Sequence, residues 1–163
     1  MNTPTPRIAA VTAEGPTALH LRWRGGGDAH AELVGWIATG GDVLAPLLSP
    51  AVFSAPRIAE HGAAVAWGDD DDLMIDAVHL EQIAAEQQPF GTAEIIGWQQ
   101  RMRLSNQEAA DFLGVSLSTW NAYKAGARIP TAVAMLCRAA TRDPLLLQAH
   151  FRPRKAGRPR RAG

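Results

Sequence analysis

The 163-residue chain has little sulfur chemistry and no long apolar run. A single cysteine, Cys137, excludes an intrachain disulfide. Its apolar stretches are broken by Gly, Pro, His or charge well short of the roughly 20 residues a membrane span requires, so no membrane partner is expected. The five histidines are scattered without metal-ligand spacing. Neither a phosphate-binding Gly-rich loop ending in Lys-Ser/Thr nor a G-x-S-x-G elbow occurs, so an enzyme, a metal and a cofactor are not expected. The run Asp69 to Asp72 lacks the loop pattern of a calcium site and reads as a solvated acidic turn. The opening MNTPTPRIAA has no basic or long apolar stretch of the kind a secretion signal carries. With one cysteine, this points to a reducing, cytoplasmic setting.

Net charge is also absent, but as a cancellation. Residues 1–90 hold 4 Lys/Arg against 12 Asp/Glu, a net −8, while residues 91–163 hold 12 against 4, a net +8. A polyanion would therefore be bound by the second half. An apolar fraction of 47% with 20% charged residues is enough to bury a core.

In the first half, short strands are separated by Gly, Pro and Asp. Alternation is clearest from Ala18 to Trp23, with Leu19, Leu21 and Trp23 on one face. Gly25-Gly26-Gly27-Asp28 marks a turn, and Ala29 to Ile37 can return as an antiparallel partner. Arg57 to Trp67 reads as another strand pair turning at His61-Gly62. Gly41 to Phe53, punctuated by Pro46 and Pro50, reads as a short helix or compact loop. Asp76 to Gln88 has helical spacing, with Val78, Leu80 and Ile83 able to face the sheet. The layout of Pro6-Arg7-Ile8, Leu21-Arg22-Trp23, Pro46-Leu47-Leu48 and Val65-Ala66-Trp67 resembles domain-of-unknown-function family 2442 over roughly residues 6–87. That resemblance implies a small α+β fold found alone or ahead of helix-turn-helix domains, sometimes beside toxin genes.

The second half reads as helices. Thr92 can cap a helix with Ile95, Trp98 and Met102 on one face. Ser105 and Glu108 form a capping box for Asn106 to Leu113, Gly114 turns the chain, and Ser116 caps Leu117 to Ala125 before Gly126. Short helix, glycine turn, short helix is the helix-turn-helix layout. The run from Arg103 to Ser116, followed by Ser118 to Pro130, resembles the lambda-repressor-like (xenobiotic-response-element) family. Asn106 stands where members usually have Gln, and Lys124 where they usually have Glu. By helical phase Leu117, Ser118, Asn121 and Ala122 point outward. Asn121 suits adenine, Ser118 a base or phosphate, and Leu117 or Ala122 a thymine methyl. Asn106, Thr119, Lys124 and Arg128 suit phosphates. Thr131 to Arg142 continues with Val133, Leu136, Cys137 and Ala140 on one face, the thiol as core packing, and Asp143-Pro144 starts a last short helix.

From Phe151 the chain is too basic and too poor in apolar residues to be expected to fold. Gly157-Arg158-Pro159-Arg160, flanked by Arg154, Lys155 and Arg161, resembles an AT-hook, which implies an extended strand in the minor groove of A·T-rich DNA. A generic basic tail on phosphates is the competing reading. The expectation is thus an α+β two-domain chain. A small N-terminal antiparallel sheet with one or two helices (1–89) precedes an all-α helix-turn-helix bundle (90–150) and a disordered basic tail (151–163). Its expected role is sequence-specific regulation of transcription on double-stranded DNA, as a homodimer, because one such motif reads only a half-site. The alternative is an antitoxin or adaptor whose N-terminal domain binds a protein partner. A further reading of the opposite charges has the acidic half masking the basic one.

Overall fold

Alternation in the sequence becomes a half-buried sheet. In β2 (Ala18–Trp23) Leu19 and Leu21 are fully buried and Trp23 packs on the same core. This strand lies between β1 (Ile8–Glu14) and β3 (Asp28–Glu32), antiparallel to both. The register sets Ala31 opposite Leu19 and Ala29 opposite Leu21, so large and small residues share the buried face. The structure, a computed structural model, describes residues 4–69 and 71–154. The chain falls into two compact units, Met1–Gln88 and Pro89–Gly163.

The alternation predicts a return strand through Ile37, but β3 ends at Glu32 and α1 (Val34–Thr39) takes over. Two side chains explain the change. Gln87 clamps the Glu32 backbone, accepting its N–H at 2.8 Å and donating to its carbonyl at 2.8 Å, while the Glu32 carboxylate accepts the Val34 N–H at 2.9 Å. The ladder to β2 makes one more bond, Leu33 N–H to the Thr17 carbonyl at 2.9 Å, while the Glu32 backbone groups are satisfied by the Gln87 side chain. The Pro-punctuated stretch forms α2 (Gly41–Leu44), a 3-10 turn at Ala45–Leu48, and α3 (Pro50–Phe53), which bury Leu44, Leu47 and Phe53.

A single sheet is expected for this half, but the described residues form two. The second runs β4 (Pro56–Ala59), β5 (Ala64–Trp67), β6 (Met74–Asp76), antiparallel throughout. The expected turn at His61-Gly62 is there, with Glu60, His61 and Gly62 all at positive φ. All four residues of β5 are buried, and Trp67 stacks on Phe53 while donating its indole N–H to the Phe53 carbonyl at 3.0 Å. Asp76 then caps α4 (Ala77–Glu86) by accepting the His79 N–H at 2.8 Å. The face this helix buries is Ala77, Leu80 and Ala84, with Ile83 beside it, whereas Val78 is 39% exposed and does not face the sheet.

The second unit is helical: α5 (Thr92–Met102), α6 (Asn106–Leu113), α7 (Leu117–Lys124), α8 (Thr131–Arg142) and α9 (Pro144–His150). Gly91, not Thr92, is the N-cap of α5, because the Thr92 hydroxyl is used elsewhere, donating to the Tyr123 carbonyl at 2.9 Å. Ile95, Trp98, Ala109, Ala110, Leu113, Trp120, Tyr123, Val133 and Cys137 close one core. Trp98 meets Trp120 edge-on at 6.3 Å and Phe112 at 5.9 Å. Burial pushes the Cys137 thiol up to about 12, so it packs as a neutral apolar group. Among the described residues no helix is long and apolar enough to cross a membrane.

Candidate nucleic-acid interface

Two capped helices and a left-handed glycine set the geometry. Glu108 N–H donates to the Ser105 hydroxyl at 3.2 Å, and the Glu108 carboxylate accepts the Ser105 N–H at 2.8 Å, so each end of the first turn of α6 satisfies the other. The Ser105 N–H, followed by the Arg154 N–H, holds Glu108 below the usual glutamate range. Gly114, at φ +70°, ends α6, and the Val115 side chain packs against the core. Ser116 caps α7 by accepting the Thr119 N–H at 3.1 Å. Its hydroxyl also meets the hydroxyls of Thr119 at 2.9 Å and Ser118 at 3.2 Å. Trp120 and Tyr123 anchor α7 from below.

The outer face of α7 then presents Leu117 at 39% exposure, together with exposed Ser118, Asn121 and Ala122. The Asn121 amide has no hydrogen-bond partner among the described residues, and Arg128 beyond the helix is exposed. Arg101 and Arg103, on the approach to α6, are also exposed. Arg103 caps α5 in the left-handed region, at φ +57°. Neither arginine stands out in sequence, because periodicity says where a side chain is buried and nothing about which exposed cations a ligand would meet.

Three residues expected to contact DNA are engaged within the chain. Asn106 Oδ1 accepts from Gln99 Nε2 at 2.9 Å, Lys124 Nζ at 2.9 Å and Trp120 Nε1 at 3.1 Å. Lys124 also donates to Gln99 Oε1 at 3.1 Å, which closes a polar clasp across α5, α6 and α7. Asn106 and Lys124, read from the sequence as suited to phosphates, are thus bonded to each other and to the core: buried Trp120 needs an acceptor, and Asn106 supplies it. Gln99, the one buried polar residue in the described core, is the member sequence reasoning missed. Its signal was a polar residue on the apolar phase of α5.

Arg154 is the third. Its backbone N–H donates to Glu108 Oε1 at 3.0 Å and its Nε to Asp111 Oδ2 at 2.9 Å, while Phe151 packs against the helical core. Of the tail expected to be disordered from Phe151 onward, the described residues 151–154 are docked on the helical unit. Thr119 is half-buried, its hydroxyl in the cap. Lys155, Arg158, Arg160 and Arg161, with Gly157 and Pro159 of the hook-like motif, lie outside the described residues.

No family model and no curated protein matches the chain, so the resemblances to the lambda-repressor-like family and to family 2442 rest on the residues alone. The crystal structure of a candidate DNA binding protein from Nitrosomonas europaea is similar to it. The match has 27% identity over 97% of this chain and 100% of that one, with a TM-score of 0.49.

Proposed function

We propose that this protein is a sequence-specific DNA-binding transcriptional regulator whose α6–Gly114–α7 segment is a helix-turn-helix. One observation carries the reading: α7 is fixed from beneath by Trp120 and Tyr123 and leaves Leu117, Ser118, Asn121 and Ala122 exposed in a half of the chain with net charge +8. In this role α7 enters the major groove, with Asn121 reading a base and Leu117 or Ala122 meeting a thymine methyl. Arg128, Arg101 and Arg103 grip phosphates and set the register. The clasp residues Asn106 and Lys124 act by orienting α7. Two copies read a two-fold operator, and the cations after Arg154 add grip on phosphates or in an A·T-rich minor groove.

Selection of binding sites from random duplex DNA tests this. The expected result is a pseudo-palindromic site bound in a salt-sensitive way, with Asn121→Ala relaxing preference at one base position per half-site. Absence of salt-sensitive binding to any selected duplex overturns it.

A second reading is favoured by the first unit, which exposes Val34, Val43 and Leu48 around its short helices. Exposed apolar side chains of this kind suit a protein partner, as in an antitoxin or adaptor whose DNA binding only regulates its own expression. A toxic product of a neighbouring reading frame that copurifies with the full chain, and is lost on Val43→Asp, would favour it.

A further inference from the structure

The two acids on the outer side of α6 have a use that a DNA-reading domain would not otherwise give them. Negative side chains beside a polyanion weaken binding through repulsion. Yet Glu108 and Asp111 are both spent on the start of the C-terminal segment. Glu108 divides its carboxylate, with Oε2 on the Ser105 N–H at 2.8 Å and Oε1 on the Arg154 N–H at 3.0 Å. Asp111 does likewise: Oδ2 takes Arg154 Nε at 2.9 Å and Oδ1 takes Gln107 Nε2 at 3.0 Å. The Arg154 guanidinium, then the Gln107 amide, holds the Asp111 carboxyl below its usual range. Arg152 folds onto the carbonyls of Ala149 and Phe151, and Phe151 packs on the core, so the segment is held at more than one point.

We infer that Arg154 moors the basic tail to α6 through Asp111 and Glu108, so that Lys155, Arg158, Arg160 and Arg161 are delivered to the duplex that α7 reads. This rests on the DNA-binding reading above. Arg154 is then a positioning residue rather than a phosphate ligand. A tether fixed on the helix that packs directly against α7 raises the local concentration of the following cations at that duplex. No new contact to DNA is required.

The sign of one substitution separates this mechanism from simple electrostatics. Asp111→Ala removes a negative charge from an exposed helical position and puts in the best helix former, so plain charge counting has it tighten DNA binding. The mooring has it weaken binding, by about three- to tenfold. The measurement is titration of the selected duplex by fluorescence anisotropy, with the full chain, Asp111→Ala, a chain ending at Arg154, and the two changes combined. Hydrogen exchange at the Arg154 amide is followed without DNA. Expected are weaker binding by Asp111→Ala in the full chain, no weakening by the same change in the shortened chain, and faster exchange at Arg154. Tighter or unchanged binding by Asp111→Ala, while the parent binds, overturns the mooring alone. So does a weakening that persists in the shortened chain. A parent protein that binds no duplex overturns the DNA-binding reading itself, and the mooring's role with it.

Discussion

Asn106 shows what single residues contribute and why their roles are hard to read in advance. Its Oδ1 gathers three donors, Gln99 from α5 and Trp120 and Lys124 from α7. Helical phase places Asn106 at an exposed first turn, which is correct, and from there phosphate contact follows naturally. Phase carries no information about a lysine 18 residues away reaching back to the same oxygen. The outward set of α7 depends only on phase and was legible for that reason. Replacing Asn106 with Ala leaves the indole N–H of fully buried Trp120 without its acceptor. That costs about 1–3 kcal/mol of stability, the usual penalty for an orphaned buried donor. Asn106→Asp keeps the oxygen and adds an opposite charge beside Lys124, so it should lose much less. Urea denaturation of the three proteins checks the order; equal losses for the two variants would mean that the clasp holds nothing.

Element boundaries were legible where local chemistry sets them. Ser105, Glu108, Gly114, Ser116 and Gly126 fix the ends of α6 and α7 within a few residues of the atoms they serve. They were illegible where a distant partner decides. The Glu32 backbone at the end of β3 is held by Gln87, 55 residues away, and β6 is three residues long, too short for any period to show. Two glycines give the contrast a measurable form. Gly114 has φ +70° and nothing within 4 Å of an added Cβ, so Gly114→Ala meets only the left-handed backbone penalty, about 1 kcal/mol. At Gly62, φ +90°, an added Cβ would lie 2.6 Å from the Ile8 carbonyl oxygen, so backbone must move as well. Thermal melts should show the larger loss for Gly62→Ala, and the reverse order would contradict this packing. The capping box makes a pH prediction. Glu108 has its pKa lowered on folding, so the native state binds its proton less readily than the unfolded chain. The stability it adds is complete above the ordinary glutamate range and is lost as pH falls through the depressed value. Glu108→Gln can still accept the Ser105 N–H but has no proton to take up. Its urea midpoint should fall less steeply than the parent's from about pH 6 to about pH 3. Parallel curves would remove Glu108 from the acid transition.

At the scale of the whole chain, the opposite charges of the two halves are the strongest functional signal, and they were fully legible because they need no geometry. Geometry decides how the positive charge is divided. Within the second unit Lys124 is committed to Gln99 and Asn106, and Arg154 to Asp111, so neither adds a free cation to a DNA face. Arg101, Arg103 and Arg128 remain exposed on the folded part, and Lys155, Arg158, Arg160 and Arg161 follow in the sequence. Each phosphate neutralised releases condensed counterions, and log K falls against log salt with a slope of about −0.9 per contact on duplex DNA. If all four tail cations engage, ending the chain at Arg154 should flatten that slope by about 3 to 4 for each protomer bound. Base preference in the selected site should persist, because the residues of α7 proposed to read bases are untouched. Anisotropy titrations of the parent and shortened chains over a series of salt concentrations provide both quantities. An unchanged slope would mean that the tail takes no part in binding; a changed preference at the positions read by α7 would mean that the tail, too, reads sequence.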